Sequence, residues 1–293
     1  MLPIKLANAE KDAFKYFQAK QYREASKVIQ SILDDEEVKQ IDDVDKGWYL
    51  QLAAFYLYNS NRVRAMEMQL KAHRMNTSLP RPHEGVEYQK IQRRLGQQPN
   101  NIVKWIKEHM EPNAVVVSAN EILNKLSFGM PHETFEEEFA NLAKIIGFES
   151  ERPEKEYGKG PDVLWDLSDG AYVIIEAKNE VKSNRGDISK READQLSGSW
   201  QWFEEEYKSK KGIPIIIHPS NILADDAYCV DGAMALQPKG LERLVSNIRD
   251  FTVALASKSP DSWDIDDVTK LVAEHNLDPG SIVDKYFSNV EKR

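Results

Sequence analysis

The hydrophobic periodicity of the chain changes near residue 130, and this change predicts the fold class. From about residue 8 to 126, apolar residues recur at helical intervals, without an alternating strand pattern of useful length. After Gly129-Met130-Pro131, short apolar runs of strand length alternate with helical segments. We therefore expect a helical domain over 1–129, an α/β domain with a mixed sheet over 130–257, and a helical C-terminal extension over 258–293.

Composition narrows the class of protein. The chain has 293 residues, 41% hydrophobic and 30% charged, which suits about two globular domains and argues against a disordered or collagenous chain. No apolar run approaches the roughly 20 residues of a membrane span, and the N-terminus lacks the apolar core of a signal peptide. The single cysteine, Cys229, excludes an internal disulfide. We expect a cytoplasmic protein without a membrane partner.

The N-terminal helices carry a degenerate repeat of small and aromatic residues. Ala13, Tyr16, Tyr22 and Ala25 are followed by a second set, Ala53, Tyr56, Ala65 and Ala72. Small residues allow paired helices to approach closely, and tyrosines fill the gaps between pairs. This pattern resembles tetratricopeptide-type hairpins, although Ala25 to Ala65 is 40 residues against a family period of about 34. Further helices are expected over Glu84–Leu95, Asn101–His109 and Ala114–Leu126.

Apolar runs, capping residues and turn residues predict the order of helices and strands in the α/β part. Thr134 and Glu137 have capping-box spacing and predict the start of a helix that ends at Gly147. Strand runs Val163–Leu167 and Ala171–Ala177 flank the turn Ser168-Asp169-Gly170 and predict a hairpin. The elements expected after the hairpin are a helix over Ile188–Tyr207, a strand over Ile213–Ile217, strands near Ala227–Val230 and Ala233–Leu236, a helix over Gly240–Ala256, and two short helices within 264–290.

Charge is unevenly distributed along the chain. The net charge is −9, but residues 1–130 carry 19 Lys and Arg against 16 Asp and Glu, whereas residues 131–293 carry 20 against 32. The stretch Arg62–Lys107, which includes Arg93 and Arg94, has ten basic residues and three acidic ones. This stretch can form a phosphate-binding surface even on an acidic protein, because salt screens the electrostatic field of distant acidic residues within about 8 Å at physiological ionic strength. A solvated helix face explains it equally well.

One group of acidic and basic residues has the composition of a catalytic metal site. Glu-x-Lys occurs four times, but only Glu176-Ala177-Lys178 ends an apolar strand, so alternation places Glu176 and Lys178 on one face of that strand. The hairpin returns Asp162 beside Glu176. Two carboxylates suit a hard cation such as Mg²⁺, and a neighbouring lysine can activate water or stabilise phosphoryl charge. The alternative is a surface hairpin with an incidental ion pair.

These residues also carry a family resemblance. Gly160-Pro161-Asp162, thirteen intervening residues and Glu176-Ala177-Lys178 resemble the PD-(D/E)xK motif of the restriction-endonuclease-like nuclease superfamily over about residues 130–257. The resemblance implies that Asp162, Glu176 and the Ala177 carbonyl bind Mg²⁺, with Mn²⁺ as a substitute. It also implies that Lys178 is the catalytic lysine.

Further candidates surround this motif. Many members of the superfamily add a glutamate from the first core helix, and among Glu136, Glu137 and Glu138 the first fits that pattern best. Gln195 corresponds loosely to a site-facing glutamine of some relatives. The loop after Lys178 suits phosphate contacts through Lys182, Arg185 and Lys190. We expect Trp200 and Trp202 in the core and rim, and His218 as a strand-end residue.

The residues and the resemblance together predict a metal-dependent nuclease, and the resemblance alone favours DNA as its substrate. The resemblance further implies a helicase or ATPase partner and a role in defence against foreign DNA, with the helical domain positioning substrate or partner. RNA is not excluded as substrate, because phosphate contacts carry no sugar identity. The alternative is a protein without enzymatic function, a helical-repeat scaffold with a vestigial nuclease fold. Endo- or exonuclease action, sequence preference and oligomeric state have no signature in the sequence.

Overall fold

The structure is a computed structural model that describes residues 2–82, 88, 90–91, 95–182, 185–208 and 210–292, without the side chain of Val63. The chain divides into two compact units, Met1–Gln89 and Lys90–Arg293.

The regular structure described in the first unit is helical. Its elements are α1 (Leu2–Gln18), α2 (Tyr22–Leu33), a short 3-10 helix (Val38–Gln40), α3 (Asp43–Leu57) and α4 (Arg62–Met75). Each α-helix packs on the next one in sequence. The core of this unit combines the small residues of the repeat pattern with two large ones, namely Ala13, Ala25, Ile29, Ala53 and Tyr56. The helical character expected of the N-terminal part is confirmed.

The second unit is a mixed sheet with helices. Its α-helices are α5 (Gln98–Lys107), α6 (Pro112–Leu123), α7 (His132–Ile145), α8 (Pro153–Tyr157), α9 (Lys190–Glu206), α10 (Pro238–Leu255), α11 (Ile265–Glu274) and α12 (Pro279–Tyr286), and a short 3-10 helix (Pro260–Ser262) precedes α11. Its strands are β1 (Glu149–Glu151), β2 (Val163–Asp166), β3 (Ala171–Ala177), β4 (Lys211–Ile217), β5 (Ile222–Leu223), β6 (Met234–Leu236), β7 (Ser288–Asn289) and β8 (Glu291–Lys292).

The main sheet has the strand order β1-β2-β3-β4-β6-β7. The pairs β1–β2 and β2–β3 are antiparallel, β3–β4 and β4–β6 are parallel, and β7 closes the sheet antiparallel to β6. A separate parallel pair joins β5 to β8. The α/β class and the mixed sheet expected from the sequence are confirmed.

The two faces of β3 pack against different helices. Val173, Ile175 and Ala177 belong to the large core that also contains the apolar stripe of α7. Tyr172, on the opposite face, packs its ring against Phe203 of α9 at 5.6 Å between centroids. All seven residues of β3 are buried, so both faces of the sheet are covered at this strand.

Helix α7 is held on the sheet by stacked aromatic rings. Phe139 stacks on Trp165 of β2 with ring centroids 4.7 Å apart. The chain turns away from the helix at Gly147, two residues after Ile145, where φ is +78° and a Cβ atom would lie 2.3 Å from the Gln98 carbonyl oxygen. A side chain at this position would therefore clash with backbone as well as strain φ.

The start of α7 differs from the predicted one. The helix begins at His132, and the Pro131 carbonyl accepts the first helical hydrogen bond, from the Phe135 N–H at 3.0 Å. The capping box predicted at Thr134 and Glu137 is therefore wrong, because both residues already lie inside the helix. A capping box is present instead at Ser189 and Glu192, at the start of α9.

The unit boundary lies earlier than the sequence placed it. Helices α5 and α6 contribute Ile102, Ile106 and Val115 to the same core as α7, and α11 and α12 contribute Val268 and Ile282. The segment 258–293 is therefore part of the second unit, and β7 adds a strand to its sheet. Helical periodicity identifies the buried face of a helix without identifying the core that the face joins.

The strand predicted near Ala227–Val230 is absent, and the helix predicted over Glu84–Leu95 is not described by the structure. Residues 227–230 have no strand structure, and the Ala227 N–H donates to the Ala224 carbonyl in a turn. The helix predicted over Glu84–Leu95 lies largely outside the described residues. Among the described helices, none is long and apolar enough to cross a bilayer.

Candidate active site

The β2–β3 hairpin determines the position of Asp162. Register pairs Val163 with Ile175, so Asp162, directly before β2, faces the end of β3. Its Oδ2 atom accepts a hydrogen bond from the Ala177 N–H at 2.8 Å. The turn is tight, with Ser168 and Gly170 at φ of +62° and +100°. The sequence prediction that the hairpin returns Asp162 to the carboxyl end of β3 agrees with this geometry.

Lys178 lies directly after β3 and contacts both carboxylates. Its Nζ atom is 3.2 Å from Glu176 Oε2 and 3.9 Å from Asp162 Oδ2. The side chains of Asp162, Glu176 and Lys178 are only 14%, 7% and 17% exposed. The three groups thus form one compact, largely desolvated cluster, whereas an incidental surface ion pair would leave its charges in water.

The first helix supplies a third carboxylate. Glu136 is buried at the N-terminal end of α7, and its charge interacts with those of Asp162 and Lys178. Glu138 is also buried but is paired with Lys125 at 2.5 Å, and Glu137 is exposed. Of the three candidate glutamates, Glu136 is the one that interacts electrostatically with the cluster.

The charges in this cluster shift one another's pKa. Burial and the nearby charge of Asp162 raise the pKa of Glu176 to about 7. The same two causes raise the pKa of Glu136, against the opposing effect of Arg152. Burial alone would lower the pKa of Lys178, but the charges of Glu176 and Asp162 outweigh it and raise that pKa. Bringing carboxylates this close is costly without a cation, which is typical of functional sites.

Ser199 is a site residue that sequence reasoning missed. Its hydroxyl, buried on α9, donates to Glu176 Oε1 at 2.5 Å. Gln195 lies one helical turn earlier and is exposed, so Ser199 is the α9 residue that contacts the Glu176 carboxylate. The sequence signal that could have indicated Ser199 is its four-residue spacing from Gln195, which places the two side chains on neighbouring positions of one helix face.

The cluster offers oxygen atoms suited to a hard cation. The Lys178 N–H donates to the Ile217 carbonyl of β4 at 2.8 Å. Because successive backbone groups alternate sides along a strand, the Ala177 carbonyl points the other way, toward Asp162. Two carboxylates and this carbonyl match the oxygen preference of Mg²⁺. Among the described residues, no group of three or more His, Cys, Asp or Glu side chains has the arrangement of a metal-binding site.

The basic residues after Lys178 have different surroundings. Lys182 and Lys190 are exposed, as a phosphate contact requires. Arg185 is tied into a network, in which its Nη2 atom donates to Glu192 and to His218 Nε2, the latter at 3.0 Å. Burial alone would raise the pKa of Glu192. The hydrogen bonds that Glu192 accepts from Arg185 and Ser189 outweigh burial and lower that pKa to about 2. Arg93 and Arg94 lie outside the described residues.

The remaining candidates have structural surroundings. His218 follows β4, is fully buried, and its Nδ1 atom donates a hydrogen bond to the Ser220 carbonyl at 2.9 Å. Trp202 is buried beside Gly160, where a Cβ atom would lie 2.9 Å from the indole ring. Trp200 is half-buried and packs against Phe203. These placements agree with the core, rim and strand-end roles expected from the sequence.

Asn179 ties the site to the segment before α7. Asn179 is fully buried, and its side-chain Nδ2 atom donates to the Met130 carbonyl at 2.6 Å. Its backbone carbonyl accepts a hydrogen bond from the Gly129 N–H at 2.8 Å. These bonds fix the start of α7, which carries Glu136, relative to Lys178 at the end of β3.

Comparisons of the chain with models of protein families, with curated proteins and with solved structures found no match.

Proposed function

We propose that the chain is a divalent-cation-dependent nuclease that hydrolyses phosphodiester bonds. The observation that supports this most is the convergence of Asp162, Glu176 and Lys178 at the end of β3, where the Lys178 ammonium lies within 3.9 Å of both carboxylates. The resemblance to the PD-(D/E)xK motif suggests the same three residues, and an antiparallel hairpin continuing into parallel strands is compatible with a restriction-endonuclease-like domain.

Each residue has a distinct role in this proposal. Asp162, Glu176 and the Ala177 carbonyl would hold Mg²⁺, or Mn²⁺ in its place. The cation would polarise a phosphoryl oxygen and lower the pKa of a bound water. Lys178, whose pKa is raised, is protonated at neutral pH and therefore orients the attacking water and stabilises negative charge as a hydrogen-bond donor. Ser199 fixes the Glu176 carboxylate.

The substrate we propose is DNA, which the resemblance favours. Lys182 and Lys190 follow the site along the chain and would contact phosphates. The helical unit, with its tetratricopeptide-like repeat pattern, would position substrate or dock a helicase or ATPase partner in defence against foreign DNA. Its α4 helix carries four basic residues of the Arg62–Lys107 stretch, namely Arg62, Arg64, Lys71 and Arg74.

A cleavage assay tests the proposal. Supercoiled plasmid, linear duplex DNA, single-stranded DNA and RNA are each incubated with the full chain in Mg²⁺, Mn²⁺ or EDTA. We expect cleavage of at least one DNA substrate with either cation and none in EDTA. Comparing the plasmid with the linear duplex separates endonuclease from exonuclease action. Cleavage of RNA alone would make the chain a ribonuclease, and no cleavage of any substrate would support the scaffold alternative.

A further inference from the structure

Arg152 forms a buried ion pair beside the proposed cation site. It lies between β1 and α8, and its Nη2 atom donates to Glu136 Oε2 at 2.6 Å, with both side chains 10% exposed. Its Nε atom is buried without a hydrogen-bond partner among the described residues. A guanidinium held this far from water needs a fixed negative partner, and Glu136 supplies it.

The ion pair with Arg152 reduces the net negative charge of the proposed cation site. Glu136, Asp162 and Glu176 supply three negative charges, and Arg152 and Lys178 supply two positive ones, which leaves a formal net charge of −1. One divalent cation and one singly charged phosphodiester bring this cluster to neutrality. A second divalent cation would leave an excess of +2 among largely buried groups, which is unfavourable.

We propose that Arg152 is a positioning residue that keeps Glu136 from binding a cation, so that the site takes a single divalent ion. This inference rests on the proposed function. In this arrangement Arg152 supplies the fixed positive charge that a second ion would otherwise bring. Glu136 holds Arg152 in place and is not itself a ligand.

Calorimetric titration of the full chain with Mn²⁺, without nucleic acid, tests the inference. The wild type should bind one ion per chain. Arg152→Met frees the Glu136 carboxylate as an additional oxygen ligand and makes the site more negative by one charge, so that two ions without nucleic acid leave +2 instead of the +3 of the wild type. The variant should therefore bind the first ion about tenfold more tightly or better, and a second ion on Glu136. Arg249→Met is the matched control, since Arg249 bonds to Asn120 and Asn124 instead, and it should bind one ion like the wild type.

A second variant keeps the test decisive if Arg152→Met fails to fold. Glu136→Gln should still bind one ion, but about tenfold more weakly than the wild type, because the site loses one net negative charge and no ligand. Two ions on the wild type, or loss of the single ion in Glu136→Gln, would overturn the inference while leaving the nuclease proposal standing. Absence of Mn²⁺ binding by the wild type would overturn the cation site itself.

Discussion

Replacing Glu176 with glutamine should change how stability depends on pH. The pKa of Glu176 in the folded protein is raised from 4.5 to about 7. Between these values the folded protein binds a proton that the unfolded chain releases, so the free energy of unfolding falls as pH rises. At about 1.4 kcal/mol per pKa unit, this costs the wild type about 3 kcal/mol by pH 8. Glu176→Gln cannot ionise and should escape the loss.

Urea unfolding in EDTA at pH 5, 6, 7 and 8 measures this difference. Tryptophan fluorescence suits the purpose, because five of the six tryptophans lie after residue 90 and only Trp48 precedes it. The stability of Glu176→Gln relative to wild type should increase by about 2 to 3 kcal/mol from pH 5 to pH 8. Glu204→Gln, an exposed position on α9, should parallel the wild type. A constant difference between Glu176→Gln and wild type would refute the reasoning.

Three further predictions concern the site and the basic stretch. Lys178→Ala should lower the cleavage rate on the order of 10²-fold or more, whereas Lys208→Ala, in another Glu-x-Lys copy, should leave it unchanged; equal losses would show that the pattern misled the assignment. Ser199→Ala should lower the rate about tenfold, because it removes a hydrogen bond to a charged carboxylate, and Ser197→Ala, whose hydroxyl bonds within α9, should not. Replacing Arg93 and Arg94 with glutamine should reduce the salt dependence of DNA binding by up to about two units of slope, and an unchanged slope would assign the stretch to a protein partner.

The site was predictable where short-range pattern determines geometry. Strand alternation places Glu176 and Lys178 on one face, and a hairpin with a short turn returns its ends to each other, so Asp162 followed from the sequence alone. These inferences need only the periodicity of one strand and the geometry of one turn. The apolar stripe of α7 left Glu136 and Glu138 as alternatives, and the resemblance to the nuclease superfamily selected Glu136.

Contacts between distant elements were not predictable in the same way. Ser199 donates to Glu176 from a helix 23 residues further along, and nothing in the local pattern selects it over Gln195. Arg152 lies in a polar stretch before α8 and gives no signal that its side chain is buried. Helices α5 and α6 have ordinary amphipathic patterns, so their packing in the second unit required the tertiary structure.

The most direct measurement of the central claim is the rate of Mg²⁺-dependent plasmid cleavage by the wild type and by Asp162→Ala. We expect measurable cleavage by the wild type, no detectable cleavage by Asp162→Ala, and an unchanged fold by circular dichroism. Thermal stability of the variant in EDTA should be equal or higher, because one of two mutually repelling carboxylates is gone. Asp194→Ala, exposed on α9, should cleave at the wild-type rate. Undiminished cleavage by Asp162→Ala would contradict the assignment of the site.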